Sequence, residues 1–238
     1  YMRRCGATLS TSAHRRLRNL VNPAFTPRAA DRHRPAMRRH LAELVRELPA
    51  DGRCEFVDAL AKPYPARVIA TVLGAPEADA EQLAEWSHWV QRQFDVVSVT
   101  QERERIEQAC VELSAYLEAL LERRQRMPGD DLISKLLTAE ADGDRLSAVE
   151  CVNLVLDVLI GGIDTTQSQL AHGIRLLAEH PAQLGAVAVR ARAARGAHGG
   201  GDPALRTDHA VHRRHDPRRR RVSRCDLPQG HAVDAVSY

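Results

Sequence analysis

Aromatic side chains and lysines are scarce in this chain of 238 residues. Phenylalanine, tryptophan and tyrosine together make up 4% of the sequence, so leucine, valine, isoleucine and alanine must build most of the core. Lys62 and Lys135 are the only lysines, and arginine supplies the rest of the positive charge. The formal net charge of +3 is too small to favour nucleic acid as a partner by itself. A hydrophobic content of 44% suffices for one large or two small globular units.

Closely spaced cysteines and long apolar runs are also absent. The five cysteines lie far apart, none forms a Cys-x-x-Cys pair, and their number is odd. This pattern argues against a zinc site or a disulfide framework and favours a reducing compartment. Asp157 and Asp164 interrupt the most apolar segment, which excludes a transmembrane helix there, and the first residues do not resemble a signal peptide. We therefore expect a cytoplasmic protein without a membrane partner.

Helical patterns fill the chain from Ser12 to about Leu184. Apolar residues recur there at helical spacing, and no strand pattern is visible. Pro35 predicts a break between a short helix and a longer one, and Gly74 predicts a helix end. The sequence thus predicts a mainly α fold.

The longest predicted helix is central to this fold. Ser147 and Glu150 form a Ser-x-x-Glu capping box, which is a start signal. The apolar segment that follows continues until Pro181, which cannot continue it. The sequence therefore predicts a helix over about residues 147–180, roughly 50 Å long at 1.5 Å per residue.

The composition changes abruptly after Leu184. The segment 185–238 is rich in arginine, histidine and glycine, has no amphipathic period, and contains neither glutamate nor lysine. Such a shift marks a boundary. We expect a helical region over residues 1–184 and an atypical tail over 185–238 that is either disordered or translated out of frame.

The centre of the predicted long helix carries the sequence GGIDTT. Each glycine in a helix interior costs about 1 kcal/mol relative to alanine, so Gly161 and Gly162 indicate that something lies close to the backbone. Thr165 can bond the carbonyl of Gly161 and loosen the helix. Asp164 is costly when buried unless it is paired, hydrated or protonated. These residues suit proton transfer to a bound group, although helix packing, a salt bridge to arginine and ordinary core threonines would also explain them.

Four segments resemble one family when they are taken in order. GGIDTT resembles the oxygen-binding signature of the central helix of cytochromes P450, which reads [Ala/Gly]-Gly-x-[Asp/Glu]-Thr-[Thr/Ser]. HRRLRNLVNPAFTPR is similar to the His-x-x-x-Arg…AFTPR segment of the bacterial members. FVDALAKPYPARVIATVLGAPE and DDLISKLL are similar to two further helical segments of the family. The resemblance covers about residues 9–184 and implies a P450-like helical fold.

The resemblance also implies an activity and its cofactor. It implies a monooxygenase that binds haem b, activates O2 and hydroxylates a small organic substrate. Electrons would come from NAD(P)H through a ferredoxin or a flavoprotein reductase. His14 and Arg18 match the pair that contacts the haem propionates, and two donors on one helical face suit a carboxylate. Without the family, a solvated basic face would explain this pair equally well.

The remaining site residues lie in the central signature. Gly161 and Gly162 match the positions where the helix passes the haem and its bound oxygen. Asp164 and Thr165 match the acid and alcohol that help to deliver protons for O–O cleavage.

Two motifs of the family do not occur in these 238 residues. The Glu-x-x-Arg pair of a later helix is absent because no glutamate follows Glu179. The Phe-x-x-Gly-x-x-x-Cys loop, which supplies the thiolate ligand of the iron, is also absent, since Cys225 stands in VSRCDLPQG. Where the family reads DPPEH, this chain reads STSAH, which ends at His14. We therefore interpret the sequence as the middle of a P450, with a frameshift between about Leu184 and Ala194, and expect neither thiolate-ligated haem nor turnover from it as written.

Two other functions remain open at this point. The chain could be a haem-free helical scaffold or remnant. Alternatively, HRRHDPRRRRVSRCD in the basic tail could bind nucleic acid or another polyanion through counterion release, although it lacks interleaved aromatic residues.

Overall fold

A computed structural model describes residues 11–50, 54–141 and 143–197. These residues form ten α-helices and one short hairpin. The helices are α1 (Thr11–Val21), α2 (Pro27–Asp31), α3 (Arg34–Arg46), α4 (Pro63–Leu73), α5 (Ala80–Gln91), α6 (Val96–Gln101), α7 (Arg103–Arg126), α8 (Leu132–Thr138), α9 (Ala148–Glu179) and α10 (Pro181–Ala197). The strands are β1 (Glu140–Ala141) and β2 (Asp144–Arg145). The predicted mainly α fold is thus confirmed, and α2 and α3 separate near Pro35 as predicted.

The chain divides into two compact units, one built from residues up to Arg38 with Pro65–Thr165, the other from Arg39–Tyr64 with the residues after Thr165. The first unit holds the larger core, in which α4, α5, α7, α8 and the first half of α9 pack together. Aliphatic side chains fill it, as the composition requires. The largest fully buried ones are Leu73, Leu83, Leu113, Leu117, Ile133, Leu136, Leu159 and Ile163.

The second unit has a small cluster of its own. Val57 and Ala171 are buried in it, and Phe56 and Ile174 pack against them. His40 is fully buried in α3, and its ring Nδ1 lies 3.7 Å from the Glu43 carboxylate one turn away. The second half of α9 belongs to this unit.

The end of α4 is fixed by glycine, as predicted. Gly74 has φ +77°, the left-handed conformation in which glycine ends helices. Its carbonyl oxygen accepts a hydrogen bond of 2.5 Å from Arg124 Nη2 of α7. Arg124 Nε also lies 2.8 Å from Oδ2 of the buried Asp131. Asp131 in turn caps α8 by accepting from the Ser134 N–H at 2.8 Å, so α4, α7 and α8 meet at Gly74.

The long central helix begins and ends as predicted. It runs from Ala148 to Glu179, and its first turn has both hydrogen bonds of a capping box. The Ser147 N–H donates to Glu150 Oε2 at 2.8 Å, and the Glu150 N–H donates to Ser147 Oγ at 3.3 Å. This reciprocal pairing satisfies two backbone donors that a helix start leaves open.

The structure differs from the sequence-based expectation in two places. The first is the turn before α9, where β1 and β2 pair antiparallel with Glu140 opposite Arg145 and with Gly143 at φ +78°. Strands of two residues are too short for an alternating pattern, so only the turn was predictable. The second is α10, which continues beyond Leu184 to Ala197. Alanine and arginine favour helices, even though exposed residues such as Val189 leave this helix without an amphipathic period.

Residues 198–238 of the expected tail lie outside the described residues. Within the described part of the chain, no helix is long and apolar enough to cross a membrane.

Candidate functional site

The two glycines at the centre of α9 have different surroundings. A Cβ atom at Gly161 would meet nothing within 4 Å outside its own helix, and this residue is exposed. A Cβ atom at Gly162 would lie 2.5 Å from Cδ1 of Ile69 in α4. Gly162 is therefore explained by close helix packing, one of the alternatives that the sequence left open. Gly161 instead leaves an open stretch of backbone that a flat or bulky group could approach.

Asp164 lies two residues after Gly162 and is partly buried. Its Oδ2 accepts a hydrogen bond of 3.0 Å from the hydroxyl of Ser87 in α5. Burial raises the pKa of the Asp164 carboxyl above its usual value, while the Ser87 hydrogen bond and the charge of His88 oppose that rise. The carboxyl thus keeps its proton to a higher pH than an exposed aspartate does. A neutral hydroxyl, rather than an arginine, is the partner that the structure places on this oxygen.

Thr165 follows Asp164 on the exposed side of α9. Its hydroxyl donates to the carbonyl oxygen of Gly161, which is the bond to the preceding turn that the sequence predicted. Successive helical residues point about 100° apart. Asp164 therefore reaches toward α5 while Thr165 lies beside the open backbone at Gly161.

The two basic residues predicted on α1 are both exposed. His14 and Arg18 are one turn apart and share a face of the helix. Arg16 lies between them in sequence and, at about 100° per residue, points to the other side. There its guanidinium contacts the Asp144 and Glu150 carboxylates and donates to the Arg145 carbonyl oxygen at 3.0 Å. With Arg16 occupied in this way, His14 and Arg18 are left on the face turned away from the hairpin.

A groove lies at the beginning of α9 rather than at its centre. Its volume is about 450 Å³, and side chains of α7 and of the first turns of α9 line it, among them Leu121, Val149 and Asn153. Asn153 precedes Gly161 by roughly 12 Å along the helix axis at 1.5 Å per residue. The groove is therefore separate from the GGIDTT segment.

Burial affects the thiols of the two described cysteines of the first unit, Cys110 and Cys151. Burial raises the pKa of Cys151 to about 11. Burial, together with the charge of Glu107, also raises the pKa of Cys110. Both side chains therefore carry less thiolate at neutral pH than an exposed cysteine does, and neither lies in a segment that matches the thiolate loop. Cys225 lies outside the described residues.

Sequence reasoning missed two residues of this region, Ser87 and Arg16. Ser87 occupies a position on the buried stripe of α5, between Leu83 and Val90, where an apolar residue is the norm. A polar side chain at such a position needs a hydrogen-bond partner, and this was the available signal. No comparable signal identified the partners of Arg16, which lie more than a hundred residues away.

The first half of the long helix α9 packs with α4, α5, α7 and α8 and ends in an acid and an alcohol beside open backbone. These features define a mainly α protein with a candidate proton-delivery site. Comparison with known proteins identifies the family. Residues 3–187 match the family Cytochrome P450, which is most of the chain. The chain therefore belongs to the cytochrome P450 family.

Individual relatives agree with this assignment. The chain is 40% identical over 185 residues to the cyclomarin C epoxidase of Salinispora arenicola, a match covering 77% of this chain and 46% of the relative. It is also 40% identical to the erythromycin C-12 hydroxylase of Saccharopolyspora erythraea over 178 residues, covering 74% of this chain and 44% of the relative. The chain thus spans less than half the length of these curated relatives.

Solved structures show the same likeness. The open form of cytochrome P450 EryK from S. erythraea superimposes with a TM-score of 0.68 at 38% sequence identity. That match covers 76% of this chain and 46% of the EryK chain.

Proposed function

We propose that this chain supplies the distal side of the haem pocket of a P450 monooxygenase, which is the side where O2 binds. The reaction is the insertion of one oxygen atom from O2 into a small organic substrate, with electrons from NAD(P)H through a ferredoxin or flavoprotein partner. Relatives named as a hydroxylase and an epoxidase support this reaction class. A cytoplasmic location, favoured by the scattered cysteines, belongs to the same proposal.

The observation that carries the proposal is the arrangement at the centre of α9. Gly161 exposes backbone, Thr165 presents a hydroxyl beside it, and Asp164 holds a carboxyl whose pKa is raised by burial. A carboxyl with a raised pKa can give up a proton nearer to neutral pH, as a general acid requires. We assign Asp164 as the proton source. Thr165 is assigned as the hydroxyl group through which the proton is directed to the bound group.

The residues present fit haem on this side. A Cβ atom at Gly161 would meet nothing within 4 Å outside its own helix, so the space beside α9 is open to a flat ring. His14 and Arg18 are exposed donors on one face of α1 and would hold the two propionates. Haem, when bound, supplies the redox chemistry that activates O2. The chain's own residues would bind haem, leave the helix surface at Gly161 open to it and transfer protons.

A chimera tests this proposal directly. Residues 3–187 of this chain replace the matching part of the S. erythraea hydroxylase, whose own remaining sequence is kept. We expect haem binding and product formation, and we expect Asp164→Asn to lower product formation about a hundredfold, the usual scale of general acid–base catalysis, while haem content is retained. Product formation equal to that of the unsubstituted chimera would refute the role of Asp164.

A second pair of variants tests the open backbone. In the same chimera, Gly161→Leu should abolish haem binding because the side chain would occupy the space against α9. Gly173→Leu is the matched control, since a Cβ atom there also meets nothing within 4 Å and the residue lies farther along the same helix. Equal haem content in both variants would contradict the assignment of Gly161.

The 238 residues as printed should behave differently from the chimera. They contain no segment that matches the thiolate loop. We expect the purified chain of these residues to show no thiolate-type Soret band in its reduced, CO-bound spectrum. Appearance of that band would overturn this expectation and would identify an unrecognised thiolate ligand within the 238 residues.

A further inference from the structure

The hydrogen bond between α5 and α9 at Asp164 pairs a carboxyl with a hydroxyl. Ser87 Oγ lies 3.0 Å from Asp164 Oδ2, and Ser87 has no solvent-exposed surface. The two residues are 77 positions apart in the sequence, so the contact joins two separate helices. Leu83 and Val90 flank Ser87 on the same buried stripe and fix the direction of its side chain.

We propose that Ser87 is a positioning residue for Asp164: its hydroxyl holds one carboxyl oxygen toward α5 in both protonation states and leaves the other oxygen to exchange protons. This inference rests on the proposed role of Asp164 as a proton source. It adds a residue on a different helix, which the family signature GGIDTT does not contain.

The chemistry of a hydroxyl explains why serine suits this position. An ionised carboxylate can only accept hydrogen bonds, whereas a protonated carboxylic acid also donates one. The Ser87 hydroxyl can donate to the first form and accept from the second by rotating its hydrogen. An arginine or lysine has donors only, so it would favour the ionised form and could not accept a hydrogen bond from the O–H of the protonated form. Asp164 can therefore cycle between its two forms without becoming an unpaired buried group.

The charged surroundings of Asp164 agree with this assignment. The neighbouring group on α5 is His88, whose charge lowers the pKa of the carboxyl, as the Ser87 hydrogen bond also does. Burial acts in the opposite direction and is the larger effect. Ser87 thus moderates a carboxyl that burial alone would keep protonated over a wider pH range.

The titration of Asp164 in the full 238-residue chain tests the inference without any haem. Aspartate is labelled with ¹³C at the carboxyl carbon, and the Asp164 resonance is identified by its loss in Asp164→Asn. In Ser87→Ala we expect the proton affinity of Asp164 to rise, roughly threefold to tenfold, because a donor to the charged form is removed. Ser87→Thr keeps the hydroxyl and should restore the original titration.

A variant that packs like serine keeps the test decisive if Ser87→Ala does not fold. Ser87→Cys preserves the shape but donates weakly, so we expect an intermediate rise in proton affinity. Circular dichroism confirms that each variant is folded. An Asp164 titration that is the same in the wild type and in folded Ser87→Ala or Ser87→Cys overturns the inference, because a merely structural serine would leave it unchanged.

The kinetic counterpart uses the chimera. Ser87→Ala should shift the pH dependence of product formation toward higher pH, and Ser87→Thr should return it. If the carboxyl titration moves but the chimera binds no haem, the proposed function fails while the pairing of Ser87 with Asp164 stands. If haem binds and the titration does not move, the inference about Ser87 fails by itself.

Discussion

Arg16 and Glu150 are 134 residues apart in the sequence, and Nη1 of Arg16 lies 2.5 Å from Oε1 of Glu150. The contact joins α1 to the first turn of α9. Helix α1 carries the exposed pair His14 and Arg18, and the middle of α9 carries the candidate proton-delivery residues. Glu150 is also the acid of the capping box at Ser147. A single carboxylate therefore starts the central helix and ties it to the helix that would bind propionates.

Substitution of Arg16 by alanine should destabilise the first unit at neutral pH. The Arg16 hydrogen bond lowers the pKa of Asp144. At Glu150 burial acts to raise the pKa, but hydrogen bonds from Ser147 and Arg16 outweigh it and lower the pKa overall. Because both native carboxyls have depressed pKa values, the stabilisation is present above their ordinary values and is lost as the pH falls through the native ones.

Urea unfolding at several pH values measures this effect. The midpoint for Arg16→Ala should lie below that of the wild type between about pH 5 and pH 7, and the gap should close below about pH 4. Arg15→Ala is the control, since Arg15 is an exposed arginine on the same helix. A gap that persists unchanged in acid would show that Arg16 stabilises by packing rather than through its charge.

A comparison of Gly74, which ends α4, with Gly143 separates the energetic cost of backbone strain from that of steric crowding. Gly74 and Gly143 have nearly the same φ, +77° and +78°. A Cβ atom at Gly143 meets nothing within 4 Å, whereas one at Gly74 would lie 2.6 Å from Cγ of Asp131 and 2.7 Å from Nη2 of Arg124. Gly143→Ala should therefore cost about 1 kcal/mol for the backbone conformation alone.

Gly74→Ala adds a collision with a buried ion pair to that strain, and we expect a total loss of about 3 kcal/mol. The comparison is the free energy of unfolding of the two variants in urea at neutral pH. Equal losses would mean that Asp131 and Arg124 move aside without cost, so that the junction of α4, α7 and α8 is not close-packed.

Local signals in the sequence were sufficient for the features that depend on a few neighbouring residues. The capping box at Ser147, the helix end at Gly74 and the bond from Thr165 to Gly161 each involve residues at most four positions apart, and all three are present. The partner of Asp164 was not predictable in this way, because Ser87 is brought to it by the packing of α5 on α9.

The meaning of the two central glycines also depended on packing. The sequence treated Gly161 and Gly162 alike, as positions where a group approaches the helix. The structure separates them, because Ile69 occupies the space beside Gly162 and no described residue occupies the space beside Gly161. The role of Gly162 next to haem stays a prediction, whereas its contact with α4 is a feature of the fold.

Substitution of each glycine by alanine should change the free energy of unfolding in opposite directions. Gly161→Ala places a methyl group in open space and should stabilise the chain by up to about 1 kcal/mol through better helix propensity. Gly162→Ala gains the same propensity but crowds Cδ1 of Ile69, and overpacking of this kind costs about 1–3 kcal/mol. We therefore expect a net loss of about 1 kcal/mol, measured as the change in the free energy of unfolding.

A double-mutant cycle identifies the cause of that loss. Ile69→Val removes the Cδ1 atom and alone should cost about 1 kcal/mol. Combined with Gly162→Ala, it should cost clearly less than the sum of the two single losses, because the crowded atom is gone. Additive losses would show that Gly162 is required for some reason other than its contact with Ile69.

Alkylation of the two cysteines tests whether either can act as a thiolate. The pKa of Cys151 is raised to about 11, and its side chain is almost fully buried. At pH 8 about one molecule in a thousand then carries this thiolate, so iodoacetamide should leave Cys151 unmodified in the native chain. Cys110 is half-buried and should react first, although slowly, and both should react quickly in urea, which serves as the control. Rapid native labelling of Cys151, located by mass spectrometry of peptides, would mean that the start of α9 opens readily.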